Sequence, residues 1–296
     1  MNREHSLHNK WAPYMFLLPF LLFFAVFRLW PILWSLIISF FEYHNGKITS
    51  FVGLTNYITL FRDPTFLRSI GNTLYFVIVY NVIMIFLAII LAVMASSTFI
   101  KGRKIYRSVY FIPIAMSLPV VAMVFDMLFA KNIGFVSALF GMFGAKYDFR
   151  LFASMDWAMW GVILMRVWRG TGYYCAYFLA GLTAIPHDVY ESSKIDGAGP
   201  VTTFFRITLP LLRPMLIFVF IMSTILSFQL FDEPWILTQG GPANTTLTLQ
   251  MFLYQKSFLE QNLSMGSAVS YVMTLLMMGA SVIYVSRLSE KEGKKK

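Results

Sequence analysis

The sequence predicts an all-α membrane protein that forms a single transmembrane domain over residues 1–296. The first observation is composition: 58% of the residues are hydrophobic, 13% are charged, and the mean hydropathy is +0.66. A soluble domain is about one quarter charged, so this chain has too few polar residues to cover a soluble core. The second is that six segments reach the roughly 20 apolar residues that cross a bilayer. The third is the distribution of basic residues between these segments.

The six predicted spans cover most of the chain. They lie at about 13–40, 72–96, 108–130, 157–183, 211–231 and 266–287. The first is too long for the apolar region of a signal peptide, which has about 7–15 residues, and is read as a permanent span. Pro113 and Pro119 predict a kink in the third span, and the polar sequence FDEPW ends the fifth.

The net charge of +10 is explained by membrane orientation and not by nucleic acid, because the basic residues are spread over several short loops. With the N-terminus inside, the inner segments carry 14 Lys and Arg residues and the outer loops carry seven. Basic residues concentrate on the cytoplasmic side of membrane proteins. Both termini and residues 97–107 and 184–210 are therefore predicted to be cytoplasmic.

One polar stretch, YESSKIDGAGPVTTFFRITLPLLRP at 190–214, interrupts the apolar pattern. Pro186 suits the start of a helix, which is expected to run to about Asp196. Residues 197–200 (Gly-Ala-Gly-Pro) break it, and residues 201–209 form a second short helix before Pro210. This pattern fits a docking element for another protein, and an ordinary cytoplasmic hairpin is the alternative.

The same stretch carries a spaced motif. Gly197 follows Glu191 by six residues, and after nine more residues comes Ile-Thr-Leu-Pro at 207–210. This resembles the conserved cytoplasmic loop of ABC-importer permeases, except that Ser192 and Ser193 stand where that family usually has alanines. Three further segments resemble the carbohydrate-uptake branch: FVGLTNY at 51–57, KIDGAG at 194–199 and TQGGPANTT at 238–246.

The resemblance implies a role and a set of partners. The loop between spans four and five would be a short coupling helix that seats on a cytoplasmic ATPase, with coupling residues Tyr190, Glu191, Lys194, Asp196, Gly197 and Ala198. The partners would be two ATPase copies, a second and different permease subunit, an extracytoplasmic solute-binding protein, a sugar and the lipid bilayer, but no nucleic acid. The sequence has no phosphate-binding P-loop motif. No cofactor is expected in this chain, since ATP and Mg²⁺ would bind the partner ATPase. The permease itself would lie in a bacterial-type cytoplasmic membrane.

Candidate residues for a solute path lie in spans four and five. The span-four candidates share one helical face and are Arg166, Arg169, Tyr173 and Tyr177. The span-five candidates are Gln229 and Asp232, and both are expected to share a helical face with Glu233. The alternative is a structural ion pair between one of the arginines and Asp126, Asp232 or Glu233.

The neighbours of these candidates carry expectations of their own. Trp168 points about 160° away from the stripe and is expected at a helix or lipid contact. A basic residue is usual after this tryptophan in the resembling family, so Arg169 says little about solute charge. Arg166 is less expected there and leaves an acidic sugar open. Asn81 and Arg28 are read as helix-to-helix hydrogen-bonding residues.

Two other classes are compared with this interpretation. An intramembrane enzyme would need an activated nucleophile, a carboxylate pair or a metal cluster, but the four histidines lie in predicted tails and loops and no H-E-x-x-H motif occurs. An ion-coupled secondary transporter would show broken helices or repeated halves, and the sequence indicates neither.

Overall fold

The computed structural model describes residues 12–44, 46–96, 103–144 and 149–293, and most of them are helical. The elements in chain order are α1 (Ala12–Phe24), α2 (Trp30–Ile38), β1 (Phe41–His44), β2 (Lys47–Phe51), α3 (Thr55–Arg62), α4 (Pro64–Ser96), α5 (Arg103–Ala115), α6 (Leu118–Leu128), α7 (Phe135–Met142), α8 (Ala158–Thr183), α9 (His187–Ile195), α10 (Pro200–Thr203), α11 (Leu209–Leu211), α12 (Arg213–Phe228), α13 (Asp232–Leu237), α14 (Leu249–Tyr254) and α15 (Leu263–Gly293). Three π-helical turns (Ala25–Leu29, Phe204–Thr208 and Gln255–Leu259) and a 3₁₀ turn (Leu151–Ala153) connect them. The helical class is confirmed, but β1 and β2 form an antiparallel hairpin that the all-α prediction missed.

Four helical segments of the described chain are long and apolar enough to cross a membrane: Tyr14–Ile38, Pro64–Ser96, Arg213–Leu237 and Leu263–Ser286. Val109–Ala115 and Leu118–Leu128 are together long and apolar enough to cross a membrane, but they bend by 110° at the break between them. The fourth predicted span coincides with α8, a helix of 26 residues that is not among these segments because its arginines, tyrosines and glycines lower its hydropathy.

The bend in the third predicted span has a local cause. Pro119 has no N–H to donate to the carbonyl of Ala115, so α5 ends there, and the extended backbone of Ser117 (φ −65°, ψ 140°) starts α6 in a new direction. Pro113, by contrast, is accommodated inside α5. The kink that the prolines predict is therefore a break between two helices. The sequence had not indicated a broken helix in this chain.

The chain divides into two compact units, residues 1–62 with 253–271, and residues 63–252 with 272–296. In the first unit the FVGLTNY segment supports the hairpin. The Asn56 amide donates to the carbonyls of Ser39 (2.8 Å) and Phe41 (2.9 Å), and the hydroxyls of Tyr57 and Ser39 are 2.8 Å apart.

The core of the second unit lies between α4, α8 and α12. Met84, Ala88 and Ala92 recur every four residues on α4 and are fully buried. A Cβ on Gly172 of α8 would lie 1.9 Å from the carbonyl oxygen of Tyr110, so α5 approaches α8 only because that side chain is absent. Small residues allow such close helix packing in membranes.

The TQGGPANTT segment is an ordered loop of the second unit. The hydroxyls of Thr238 and Thr246 are 2.7 Å apart, and Thr246 is fully buried. The Asn72 amide on α4 donates to the carbonyls of Asn244 (2.8 Å) and Leu247 (2.9 Å). These bonds attach the loop to the N-terminal part of α4.

Candidate functional site

Helix α8 carries the predicted stripe of polar and aromatic residues, and three of its four members line one cavity. Arg166, Arg169 and Tyr173 face a space of about 230 Å³. Their spacing of three and four residues places them on one side of the helix. Tyr177 does not line this cavity, although its hydroxyl is 2.8 Å from that of Tyr173 and its ring packs 5.4 Å from that of Phe218.

The opposite walls of this cavity come from other helices. Tyr80 of α4, Ile114 of α5 and Leu226 of α12 complete the lining, together with Tyr174 of α8. A Cβ on Gly170 would lie 2.5 Å from the Tyr80 hydroxyl, so this glycine makes room for the phenol group. Tyr80 and Tyr174 were not predicted as cavity residues; the glycines of Trp-Arg-Gly-Thr-Gly at 168–172 could have indicated a close approach, but not which residue makes it.

The two arginines differ in their partners. The Arg166 guanidinium donates to a carboxylate oxygen of Glu233, whose side chain is only 2% exposed. Among the described residues Arg169 has no hydrogen-bond or ion-pair partner, and its Nε is buried without an acceptor. The cavity therefore contains one neutralised and one uncompensated guanidinium.

The span-five candidates lie elsewhere, and their expected shared helical face is wrong. α12 ends at Phe228, Gln229 is its C-terminal cap, and a new helix starts at Asp232. Gln229 and Asp232 are exposed, whereas Glu233 is buried. Because of this break, only Glu233 of the three faces α8. The acid that contacts the stripe is therefore Glu233, which the sequence suggested as an ion-pair partner and not as a solute-path residue.

Trp168 and Asn81 make the structural contacts predicted for them, whereas Arg28 does not. The Trp168 ring, on the other side of α8, lies 5.5 Å from the Phe125 ring of α6. The Asn81 amide is buried, donates to the Val77 carbonyl (2.7 Å) and is 3.4 Å from the Ser227 hydroxyl of α12. Asp126 and Arg28 are exposed, so Asp126 is not the partner of either arginine and Arg28 makes no buried helix contact.

The polar stretch after α8 contains the predicted short helix as α9, which begins at His187 because Pro186 is the cap before it. Gly197 has a left-handed backbone (φ +75°) that glycine adopts without steric cost. Its N–H donates to the Lys194 carbonyl (3.1 Å) and that of Ala198 to the Ser193 carbonyl (2.9 Å). This pair of bonds is the Schellman motif that ends helices at glycine.

The second helical part of the loop differs from its prediction. The predicted helix covered 201–209 and ended before Pro210. In the structure residues 200–211 are helical, and only Leu212 separates them from α12. Pro210 is tolerated because it lies in the first turn of α11, directly after the π-helical turn Phe204–Thr208, where its missing N–H would have no helical partner. The loop therefore leads directly into the fifth predicted span.

The side chains of the predicted coupling residues divide between a surface and a cavity. Glu191 is 65% exposed, and within the described part of the chain its carboxylate pairs only with the Nδ1 of His187, at 3.3 Å. Asp196 and Gly197 are also exposed. Tyr190, Lys194 and Ala198 line a cavity of about 390 Å³ that also reaches the last turn of α4. The exposed side of α9 has the Glu191 carboxylate at its centre and the 86% exposed Ile195 at its end.

Comparison with known proteins places this architecture in a family. Residues 84–291 match the binding-protein-dependent transport system inner membrane component family. The chain is 34% identical to the arabinooligosaccharides transport system permease protein AraP of Bacillus subtilis, covering 95% of this chain and 90% of that protein. It is 35% identical to the lactose transport system permease protein LacF of Rhizobium radiobacter, covering 90% of each.

A third relative is the sn-glycerol-3-phosphate transport system permease protein UgpA of Yersinia enterocolitica, 34% identical over 93% of this chain and 92% of that protein. Among solved structures, a chain of a bacterial alginate ABC transporter, in complex with an alginate pentasaccharide-bound periplasmic protein, has the same fold. It matches with a TM-score of 0.82 and 20% identity over 95% of both chains. The family match spans well over half of the sequence, and the chain belongs to the binding-protein-dependent transport system inner membrane components.

Proposed function

We propose that this chain is the transmembrane permease subunit of an ATP-driven ABC importer that moves a sugar or oligosaccharide into the cytoplasm. The observation that carries the proposal is that α8 leads from a polar cavity within the membrane-spanning part directly into an exposed, preformed helix. A solute site and a partner site are thus joined by α8 and the three residues, 184–186, that separate it from α9. The relatives that transport arabinooligosaccharides and lactose support sugar as the solute class.

The proposed topology has six spans with both termini in the cytoplasm. α5 with α6 is the third span and α8 the fourth, and the excess of basic residues in the inner segments supports the orientation. Residues 97–102 and the two ends of the chain lie outside the described residues. A cysteine at Lys194 tests this topology: it should be labelled only after the membrane is opened.

The proposed partner of α9 is a cytoplasmic ATPase, present in two copies, that binds ATP and Mg²⁺. The exposed Glu191 carboxylate would accept hydrogen bonds from a basic residue of the ATPase, and Ile195 would pack in an apolar part of the same cleft. Charge-assisted bonds of this kind contribute about 1.5–3 kcal/mol. A second, different permease subunit and an extracytoplasmic solute-binding protein complete the proposed importer.

A second candidate function is import of an anionic sugar derivative of the uronide or glycerol-phosphate type. The observation that favours it is the uncompensated Arg169 guanidinium in the cavity. Arg166, the residue that first suggested an acidic solute, gives less support because Glu233 neutralises it. Sugar import in general therefore remains the first proposal.

Uptake by the assembled importer tests both proposals. The complex would be purified through a tag on this chain and reconstituted in vesicles with its binding protein and ATP. The solutes would be lactose, an arabinooligosaccharide, glycerol 3-phosphate and an alginate oligosaccharide. ATP-dependent uptake of one of them, lost when the ATPase is omitted, is the expected result; absence of any co-purified ATPase would contradict the proposal.

A further inference from the structure

Two adjoining cavities lie at the opposite end of α8 from the α9 loop. One, of about 380 Å³, is formed where α6 ends and the Leu151–Ala153 turn leads toward α8. The other, of about 350 Å³, lies along the TQGGPANTT loop and shares Phe152, Ala153 and Leu237 with the first. Each volume falls in the range of about 300–1,000 Å³ that is typical of ligand pockets.

The lining of the larger cavity includes three charged residues, Asp126, Lys131 and Arg150, and Asp126 and Arg150 do not pair with each other. Asp126 and Arg150 both line it and are exposed. Among the described residues neither side chain has a hydrogen-bond or ion-pair partner, and the two form no ion pair with each other. A carboxylate only accepts hydrogen bonds and a guanidinium only donates them, so this space offers both functions to one ligand. Hydroxyl groups, which donate and accept, match such a pair.

Aromatic rings form the wall between these polar groups. The Phe129 and Phe152 rings lie 6.2 Å apart in an edge-to-face arrangement, and both line the larger cavity. Their faces provide apolar surface of fixed orientation. A puckered saccharide ring, with C–H groups on its faces and hydroxyls at its edge, is complementary to this arrangement.

The smaller cavity adds an amide at a strained position. Gln239 lines it with a left-handed backbone (φ +50°), which non-glycine residues rarely adopt. The Gly241 N–H bond to the Thr238 carbonyl (2.8 Å) helps to hold this conformation. Among the described residues the exposed Gln239 amide has no partner. Strained residues persist where the surrounding structure holds them, and they concentrate at ligand sites.

We propose that the two cavities form an outer carbohydrate subsite. Asp126, Arg150 and Gln239 bind sugar hydroxyls there, and Phe152 packs against the sugar ring. The solute occupies this subsite before it reaches the Arg169 cavity farther along α8. The proposal rests on the proposed function, since a cytoplasmic α9 puts this end of α8 on the outer side.

Cysteine protection tests the subsite directly. Ala153 is exposed and borders both cavities, and the natural Cys175 is buried, so an Ala153→Cys variant gives the accessible thiol. The assembled complex in lipid nanodiscs would be treated with a maleimide, with and without lactose or an arabinooligosaccharide. Labelling should slow about twofold when the sugar concentration equals its dissociation constant.

Two controls separate a sugar subsite from general occlusion. Arg68→Cys, at an exposed residue near the start of α4 that lines none of these cavities, should react at the same rate with and without sugar. Adding Asp126→Asn and Arg150→Gln to Ala153→Cys should abolish protection; since both side chains are exposed and unpaired, the fold should be retained. Protection that is absent, equal at position 68, or retained in the triple variant would overturn the proposal.

The same preparations distinguish failure of this subsite from failure of the proposed function. If the intact importer transports a sugar but that sugar gives no protection at position 153, only the outer subsite is wrong. If no sugar is taken up under ATP, the proposed function itself fails. For a transported sugar, the Asp126→Asn and Arg150→Gln variants should reduce uptake about tenfold, as expected for loss of a hydrogen bond to a charged group. Arg68→Gln is the matched substitution and should leave uptake unchanged.

Discussion

Arg166 of α8 and Glu233 of α13, 67 positions apart in the chain, form a largely buried ion pair, with side chains 18% and 2% exposed. The pair lies at the edge of the cavity that also holds Arg169. Glu233 neutralises Arg166 and leaves Arg169 without an acidic partner among the described residues, which sets the charge of the space that we propose for the solute.

Replacing Glu233 by Gln should leave the Arg166 charge buried and uncompensated. We expect a loss of about 3 kcal/mol in the free energy of unfolding, since breaking a buried ion pair has an effect of this size. Unfolding in mixed detergent micelles measures it. Glu260→Gln, which breaks the exposed Lys256–Glu260 pair, should cost less than about 0.5 kcal/mol. Equal losses in the two variants would show that the Arg166–Glu233 pair is not a buried one.

Tyr173→Ala and Trp168→Ala should separate the two sides of α8. Tyr173 lines the cavity, so its loss should reduce uptake while the complex still assembles. Trp168 packs on Phe125, so its loss should lower stability by about 1 kcal/mol, the value of an aromatic pair. Uptake and thermal unfolding of the same purified complexes measure both effects. The reverse pattern would remove the α8 cavity from the solute path.

Glu191→Lys should weaken the association of the permease with its ATPase about tenfold, because a charge-assisted hydrogen bond is replaced by repulsion. The measurement is the amount of ATPase co-purified per folded permease. His187→Ala is the matched control, since it removes the local partner of Glu191 and keeps the carboxylate. A normal ratio and normal solute-stimulated hydrolysis in Glu191→Lys would exclude this residue from the coupling contact.

Gly197→Val should disturb the same association for a conformational reason. The φ of +75° at Gly197 is unfavourable for a β-branched residue, so the turn between α9 and α10 should change direction. Gly199→Val provides the control, because Gly199 has φ −70° and a Cβ there meets nothing within 4 Å. ATPase co-purification should fall for position 197 only. A parallel fall for both would point to a general need for flexibility in the loop.

Gly172→Ala should destabilise the second unit by about 1–3 kcal/mol, the usual cost of overpacking. Its new methyl group would collide with the carbonyl of Tyr110 and separate α5 from α8. Gly71→Ala in α4 has open space at its Cβ and should be neutral or slightly stabilising, since alanine favours helix. Unfolding midpoints compare the two variants. A harmless Gly172→Ala would mean that α5 and α8 do not pack this closely.

The local features of this protein were predictable from its sequence. The helical face of Arg166, Arg169 and Tyr173 follows from the period of the α-helix, and the left-handed Gly197 ends α9 as its place in the motif indicates. The hairpin at 41–51 was missed because its strands are short and its β2 side chains are exposed, which leaves no alternating apolar pattern. The continuation past Pro210 was missed because a π-helical turn accommodates it.

The sequence by itself determined the membrane class, the approximate spans and the loop after α8, because apolar length, proline and glycine act over a few neighbouring residues. Tertiary structure alone decided which acid neutralises Arg166, that Tyr80 closes the cavity beside Gly170, and that Asp126 and Arg150 share a space without pairing. These contacts depend on how separate helices approach and rotate against one another. That geometry is set by packing among residues far apart in the chain, and no short stretch of sequence records it.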